Sequence, residues 1–374
     1  MNSQPLISIA IPTYNRAVFL ENLLNHIAPQ AQETGDLVQI CISNNCSTDN
    51  TREVIIKFME KYPDLIRYNE NEKNLGIDRN LLKVMEMAQG DFVWLLGDDD
   101  MMVNNGIKKV IDFINTYCNK NTGLIILGHE AYFIDSKTGK KIVHFDTIEK
   151  DKSKIYNINR KDIIGLCYPS DTFISALLFN NTFLKIILKE EKAIIQEAIK
   201  AKDYVHAFLY QLMFLKYPHL EALKLNETII DEDLHYYKFY VEDKFGLHYA
   251  ARKELADLLL SSKYTDDYYR KIITHGVEGL TKSFIIEMGV MKSFRTLNYL
   301  SFFGCVKIFF LKAPLTDALL FSLFFIFFNI VPSVVLRNLY KLFIRIRLKD
   351  WQKTWSTIVV TNSKMSKGSR RLLP

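Results

Sequence analysis

DFVWLLGDDD, spanning Asp91–Asp100, sets the fold class of this 374-residue chain. Asp91–Leu96 is short, apolar and aromatic enough for a buried strand, and it runs straight into Gly97 and three consecutive carboxylates. Adjacent carboxylates repel one another, so a purely structural role for Asp98, Asp99 and Asp100 at a buried strand end is costly. A divalent cation relieves that repulsion. Hard oxygen ligands suit Mg2+ or Mn2+, and such an ion can bridge carboxylates to a diphosphate. The plainer alternative is a solvated turn in which Asp100 or Asn104 caps a helix beginning near Gly106.

Upstream, Leu6–Ile11 (LISIAI) is a strand-like run that Pro12 is expected to end, followed by a helical stretch over Ala17–Ile27. Leu37–Ser43 reads as a second strand, and Ser47, Thr48 and Asp49 supply cap chemistry for a helix reaching Tyr62. Leu65–Asn69 is a third strand and Asn80–Ala88 a further helix. Strands alternating with helices predict βαβ units and a largely parallel sheet. Ligands of such sheets sit outside the carboxyl ends of the strands. Thr13–Asn15, Asn44–Asp49 and Asp98–Asp100 all fall at that edge.

Downstream, Leu124–Gly128 is a strand, the charged stretch Asp135–Lys161 a hairpin or surface insertion, and Thr172–Phe179 a return to strand pattern. Helices are expected over Phe183–Lys202 and Asp203–Lys216, and again through the amphipathic residues 240–296. The tail differs in character. Ala318–Val335 contains no charge, and its length just meets the roughly 20 residues a bilayer span needs. Asn329 and Pro332 inside it favour a kinked or re-entrant helix over a plain span. Tyr299–Leu311 is a second apolar stretch, and Arg337, Lys341, Arg345, Arg347 and Lys349 follow, with Trp351 and Trp355 nearby. That grouping is the pattern of an interfacial membrane anchor, the alternatives being a buried helix pair or a dimerisation helix.

The charge divides accordingly. The chain is 48% hydrophobic and 24% charged, with a net charge of +6. From Met291 to Pro374 there are 14 Lys/Arg against Asp317 and Asp350 alone, which leaves 34 basic and 40 acidic residues in 1–290. A nucleic-acid binder would not divide this way, whereas an enzyme held against an anionic membrane surface would. No basic, apolar leader of signal-peptide type opens the sequence, so the expected location is the cytoplasmic face of the membrane. Five cysteines with irregular spacing suit a reducing compartment and exclude a disulfide framework or zinc cluster.

Four segments in register, ISIAIPTYNR (Ile7–Arg16), ISNNCSTDNT (Ile42–Thr51), NLGIDRN (Asn74–Asn80) and AQGDFVWLLGDDD (Ala88–Asp100), resemble the family 2 glycosyltransferases. The likeness is strongest to bacterial transferases of surface polysaccharides, the abequosyltransferase-like group. The resemblance implies a GT-A fold: a Rossmann-like, mostly parallel sheet flanked by helices, here followed by a C-terminal membrane-associating extension. It also implies a nucleotide-diphosphate sugar donor, a divalent metal and inversion at the anomeric carbon. The implied domains are a catalytic 1–240 (donor half 1–100, acceptor half 101–240), a helical 241–296 and a membrane-associating 297–374.

Carried onto this sequence, the resemblance puts Pro12, Thr13, Tyr14 and Asn15 against the nucleotide base and ribose. The second loop has Asn44 where the family usually has Asp, which changes the donor and acceptor pattern presented to a base and leaves its identity open. Asp49 is expected to cap the following helix, and Arg79 to reach the nucleotide or a phosphate, the alternative being a surface cation. Gly97 stands where the family often has Asp; on that shifted frame Asp98 addresses the ribose and Asp99 the metal, with Asp100 assisting. Inverting transfer needs a base for the acceptor hydroxyl. Asp203, in AKDYVHAF, is the implied candidate, although Lys202 replaces the usual neighbouring acid and a simple helix cap is the alternative. Asp171 is the second candidate, and His235, after Asp231–Asp233, could complete a metal or diphosphate site unless it is a solvated loop histidine.

The implied acceptor is a glycan, lipid-linked to suit the basic, apolar tail. A nucleotidyltransferase would show a glycine-rich phosphate loop after the first strand, where PTYNR has no glycine. A degenerate, membrane-bound subunit of an assembly complex is the non-enzymatic alternative: the three retained carboxylates argue against it, Asn44 and Lys202 for it. A processive synthase would need several spans and an acceptor-clamping Trp motif, and neither Trp94, Trp351 nor Trp355 sits in one.

Overall fold

The computed structural model describes residues 4–134, 141–148, 152–165, 173–201, 204–233 and 252–276. Two units divide the chain. The first comprises Met1–Ala131, Asp146–Asp233 and Glu254–Thr274, and the second comprises Tyr132–Phe145, Leu234–Lys253 and His275–Pro374. The apolar tail therefore lies outside the described residues, among which no helix is long and apolar enough to cross a membrane.

The chain runs β1 (Ile7–Thr13), α1 (Ala17–Gln32), β2 (Val38–Asn44), α2 (Thr51–Lys61), β3 (Ile66–Glu70), α3 (Ile77–Met87), β4 (Phe92–Leu95), the short β5 (Met101–Met102) and α4 (Gly106–Tyr117). There follow β6 (Thr122–Ile134), β7 (Lys141–Asp146), β8 (Ile155–Ile158), α5 (Arg160–Ile164), β9 (Leu177–Asn180), α6 (Asn181–Glu190), α7 (Lys192–Ala201), α8 (Val205–Lys216) and β10 (Glu221–Asp233). The sheet order is β3-β2-β1-β4-β9-β6-β10-β5, with β8 paired to β10.

Only half of this sheet is parallel. β1 pairs in parallel with β2 and β4, and β2 with β3, as the alternation of strands and helices predicts. Beyond β4 the direction changes: β9 is antiparallel to β4 and to β6, and β10 to β5 and β8. The expectation of a mostly parallel sheet is thus corrected. The chain passes through α4 and returns in β6 along the direction of β4, but β9 inserts between them antiparallel to both, and its segment opens with a 3-10 turn over Ile174–Ala176 before the strand. The Phe183–Lys202 helix likewise breaks at Glu191 into α6 and α7.

Pro12 does not end the first strand. Leu6 and Ala10 accept hydrogen bonds from Phe92 and Leu96 on the β4 side, so the missing Pro12 N–H also faces that side, where β4 has stopped. The strand continues on its other side, with Pro12 opposite Ser43 and Thr13 opposite Asn44. Ile7, Ile9 and Ile11 bury against Leu20, Leu23, Leu24 and Ile27 of α1, Ile55 and Phe58 of α2, and Val110 and Ile114 of α4. Each such side chain contributes about 1.5–3 kcal/mol by leaving water. Outside that cluster α3 packs on β1 and β2 and against α8. Val205–Leu215 of α8 is buried on every side, as so predominantly apolar a helix must be, with His206 and Gln211 buried among the apolar side chains.

One buried serine ties the sheet to its neighbour. Ser8 Oγ accepts from the Gly90 and Gln89 N–H groups and from Gln39 Nε2, which fixes the entry to β4 against β1. Residues 254–274, expected in a separate helical extension, belong to the first unit. Within it Tyr264 Oη donates to Glu191 and Arg160 Nε donates to Tyr269 Oη.

His129 on β6 is buried beside Phe173, ring centroids 4.3 Å apart, and burial with the nearby charge of Lys224 pushes its pKa down to about 3. The folded protein therefore keeps His129 neutral while the unfolded chain protonates it below about 6.5. Its contribution is present above that pH and is lost as pH falls toward 3, at about 1.4 kcal/mol per pH unit. Urea unfolding of His129→Gln across pH 7 to 4 should show a dependence shallower than wild type by about one proton.

Candidate functional site

Parallel strands release their chains at one edge. At the ends of β1, β2 and β4 three loops leave together. The first loop turns at Asn15, whose φ is +53°, a left-handed conformation that asparagine tolerates. Its N–H donates to Ser47 Oγ at 2.8 Å, and its Oδ1 accepts from the Thr48 N–H at 2.7 Å. Asp49 works across the same junction, accepting from the Thr51 N–H that starts α2 and from the Ala17 N–H that starts α1. Two helix N-termini are thereby satisfied by one carboxylate. Tyr14 stands out of this junction, 42% exposed.

Asn44 is fully buried. Its Oδ1 accepts from the Ser47 N–H and Oγ, and its Nδ2 donates to Tyr68 Oη. The carboxamide therefore shapes the loop from behind. Next to it lies a run of amides, of which Asn45, Asn71 and Asn80 are buried. Asn45 Nδ2 donates to Asn74 Oδ1, Asn71 Nδ2 to the Oδ1 atoms of Asn45 and Asn80, Asn69 Nδ2 to Asn71 Oδ1, and Asn80 Nδ2 to the Ser43 carbonyl. This network binds the second loop to the segment Asn74–Asn80. There Gly76, at φ +83°, takes a conformation closed to most side chains and opens α3. Asp78 is turned inward, where its Oδ1 accepts from the Val205 N–H at the start of α8. Arg79 points outward, exposed, with no ion pair among the described residues.

The carboxylates follow β4. Thr13 Oγ1 donates to Asp98 Oδ2 at 2.7 Å across 85 residues of sequence. Arg16 Nη1 lies 3.3 Å from Asp98 Oδ1 and 2.5 Å from Asp99 Oδ2, so one guanidinium nitrogen meets both acids. Burial pushes the Asp98 carboxyl up to about 7; the Arg16 charge and the Thr13 hydrogen bond oppose this, and the Asp99 charge adds to it. Asp99 is about one-third exposed. Asp100 turns away from the pair: its Oδ2 accepts from the buried Ser175 hydroxyl, which in turn accepts from the Gly97 N–H at 2.8 Å. A Cβ on Gly97 would come within 2.6 Å of that Asp100 oxygen, which is the local reason for glycine here.

Asp98 and Asp99 are thus the acids that meet at Arg16, while Asp100 is bonded to Ser175. They already meet around one cationic nitrogen, and two carboxylates plus phosphate oxygens are the donor set with which Mg2+ is commonly held. The chemistry of the pair fits a divalent ion completed by a substrate diphosphate. Among the described residues no cluster of three or more acidic, histidine or cysteine side chains forms an all-protein metal cage. Asp203, Asp171 and His235 lie outside the described residues.

Three contributions were not singled out from the sequence. Arg16 closes the PTYNR segment, so its place in a motif was the available signal. Seven asparagines between Asn44 and Asn80 announce the amide network by density alone. Ser175 had no signal, since a serine in an apolar run carries no mark of its partner 75 residues away.

Comparison with known proteins identifies the family and the fold. Residues 8–182 match the profile of Glycosyl transferase family 2. The chain is 30% identical over 285 residues to the abequosyltransferase RfbV of Salmonella typhimurium, covering 72% of this chain and 77% of that one. It is 28% identical over 208 residues to a GalNAc(5)-diNAcBac-PP-undecaprenol beta-1,3-glucosyltransferase of Campylobacter jejuni, covering 54% and 62%. Among solved structures, residues 1–349 of S. aureus TarS superpose with a TM-score of 0.56 at 15% identity, over 83% of this chain and 82% of that one. The shared fold is a GT-A-like mixed sheet with flanking helices.

Ser175→Ala removes the acceptor for the Gly97 N–H and the donor to Asp100. Leaving such buried groups unsatisfied should cost about 2 kcal/mol, read as a lowered urea midpoint with unchanged slope.

Proposed function

The chain belongs to glycosyl transferase family 2, and from that premise we propose that it moves a single sugar from a nucleotide-diphosphate sugar to a glycan acceptor, with inversion, in the making of a bacterial surface polysaccharide. That it is a glycosyltransferase follows from the family; donor, acceptor and metal are our reading. The observation that carries the reading is the meeting of Thr13, Arg16, Asp98 and Asp99 at the carboxyl edge of β1 and β4.

In this reading the exposed Tyr14 ring offers a stacking face to the base, and Pro12, Thr13 and Asn15 hold the first loop beneath it. Asn44 acts from behind, by fixing Ser47. Asp98, held by Thr13, addresses the ribose and with Asp99 would hold a divalent cation, Mn2+ or Mg2+. When bound, that cation supplies charge stabilisation to the departing diphosphate. Arg79, exposed near the start of α3, would contact a phosphate. Asp203 stands two residues before α8, whose N-terminus Asp78 pins, and takes the proton of the attacking acceptor hydroxyl. Asp171 is the second candidate for that role, and His235 a further ligand for metal or diphosphate.

The acceptor is proposed to be lipid-linked, with the protein held at the cytoplasmic face of the membrane by its tail. Support comes from the net +12 of Met291–Pro374 beside the uncharged Ala318–Val335, and from the undecaprenol-linked substrate in the name of the Campylobacter relative.

Asp99→Ala should lower donor turnover at least about 100-fold, the scale of losing one charge-stabilising group, with the circular dichroism spectrum and urea midpoint of wild type. Turnover near wild type would refute the metal assignment. Deleting residues after 296 should release the protein from anionic vesicles while donor binding persists; continued sedimentation with vesicles would refute the membrane role of the tail.

A further inference from the structure

Arg16 is the residue of this site that the proposed chemistry leaves without a task. Its backbone is pinned on both sides: the N–H donates to Thr51 Oγ1 at 3.2 Å, and the carbonyl accepts from the Leu20 N–H at 3.0 Å as α1 begins. The side chain reaches from there to the acids. Nη1 bridges Asp98 Oδ1 and Asp99 Oδ2, and the guanidinium carbon also lies 5.1 Å from the centre of the Phe19 ring. The ring face thus supports the cation where it meets the two acids.

The Arg16 nitrogen stands where the two carboxylates converge, and that is also where a shared divalent ion would have to stand. Both cannot occupy that one position between the same oxygens, and two cations in contact there would repel one another. We propose that Arg16 is a resident counter-cation of the Asp98–Asp99 pair, a positioning residue that keeps the two acids together and must swing aside before a divalent cation can bind. The proposal rests on the metal reading given above and deepens it. Metal alone is held weakly, because it competes with a tethered guanidinium. A nucleotide diphosphate tips the balance, since its phosphates add ligands for the metal and offer the displaced guanidinium a new anionic partner. Binding of donor and metal is then coupled, each favouring the other by the same factor.

The test is calorimetric titration of the full-length chain with Mn2+ alone at pH 8, comparing wild type with Arg16→Gln and Arg16→Lys. The expected result is Mn2+ binding at least about five-fold tighter in Arg16→Gln, with Arg16→Lys close to wild type because its charge still competes. Structural damage would weaken metal binding, so a gain in affinity is a readout that misfolding does not mimic. Equal affinity in wild type and Arg16→Gln overturns the counter-cation and leaves the metal site standing; weaker binding in Arg16→Gln overturns it too, since Arg16 would then support the metal. Absence of Mn2+ binding from all three proteins, with and without UDP or GDP, overturns the metal reading itself and the counter-cation with it. Should Arg16→Gln fail to fold, a Mg2+ titration of wild-type protein labelled with 15N-arginine decides: the Nε–H resonance absent from the Arg16→Lys spectrum must shift as Mg2+ is added, and a stationary resonance overturns the proposal.

Discussion

Parallel pairing of β2, β1 and β4 is the constraint from which the rest of the site follows. Hydrogen-bonded parallel strands run the same way, so their carboxyl ends open on one side of the sheet. Register then decides which residues meet: Thr13 lies opposite Asn44, and Ala10 opposite Leu95. A slip of one residue would turn every side chain of β1 to the other face, and Ile7, Ile9 and Ile11 make that slip prohibitive. Apolar burial in the strands is therefore what brings Thr13 to Asp98 and Ser47 to Asn15.

Electrostatics works within that frame. Packing sets the carboxyl end of β4 in a nearly dry place, with Asp98 and Asp100 each 6% exposed. Three acids in sequence cannot share such a place on equal terms, and the structure separates them. Asp100 is drawn off by Ser175, while Asp98 and Asp99 stay together around the Arg16 guanidinium. Gly97 belongs to the same solution, since a side chain there would collide with the Asp100 carboxylate. The glycine that departs from the family pattern and the inward turn of Asp100 are one local arrangement.

What was readable in the sequence divides by range. Strands and helices of the first hundred residues were legible to within a few positions, because periodicity and caps are local: α2 and β3 sit where Asp49 and the Leu65–Asn69 run announced them. The antiparallel half was not. The direction of β9 depends on Asn180 meeting Phe92 across the sheet, a long-range pairing with no local signature. At the site, the three loops and the acidic triplet were legible as motifs, whereas their inner partnership was not. Whether Asp98 joins Asp99 or Asp100 depends on Ser175 and Arg16, one far along the chain and the other known only as the end of a motif. Asn44 shows the same limit: its residue type was compatible with a base contact, and only tertiary burial reveals its carboxamide turned to Ser47.

The central claim is that the converging pair Asp98 and Asp99 is the cation-holding end of a donor site built on parallel strands. Anomalous diffraction from crystals grown with Mn2+ and a nucleoside diphosphate tests it most directly. The account predicts a manganese peak within coordination distance, about 2.0–2.6 Å, of carboxylate oxygens from both Asp98 and Asp99, with diphosphate oxygens completing the shell. A peak held by Asp100, or nucleotide bound away from the ends of β1 and β4, would contradict it.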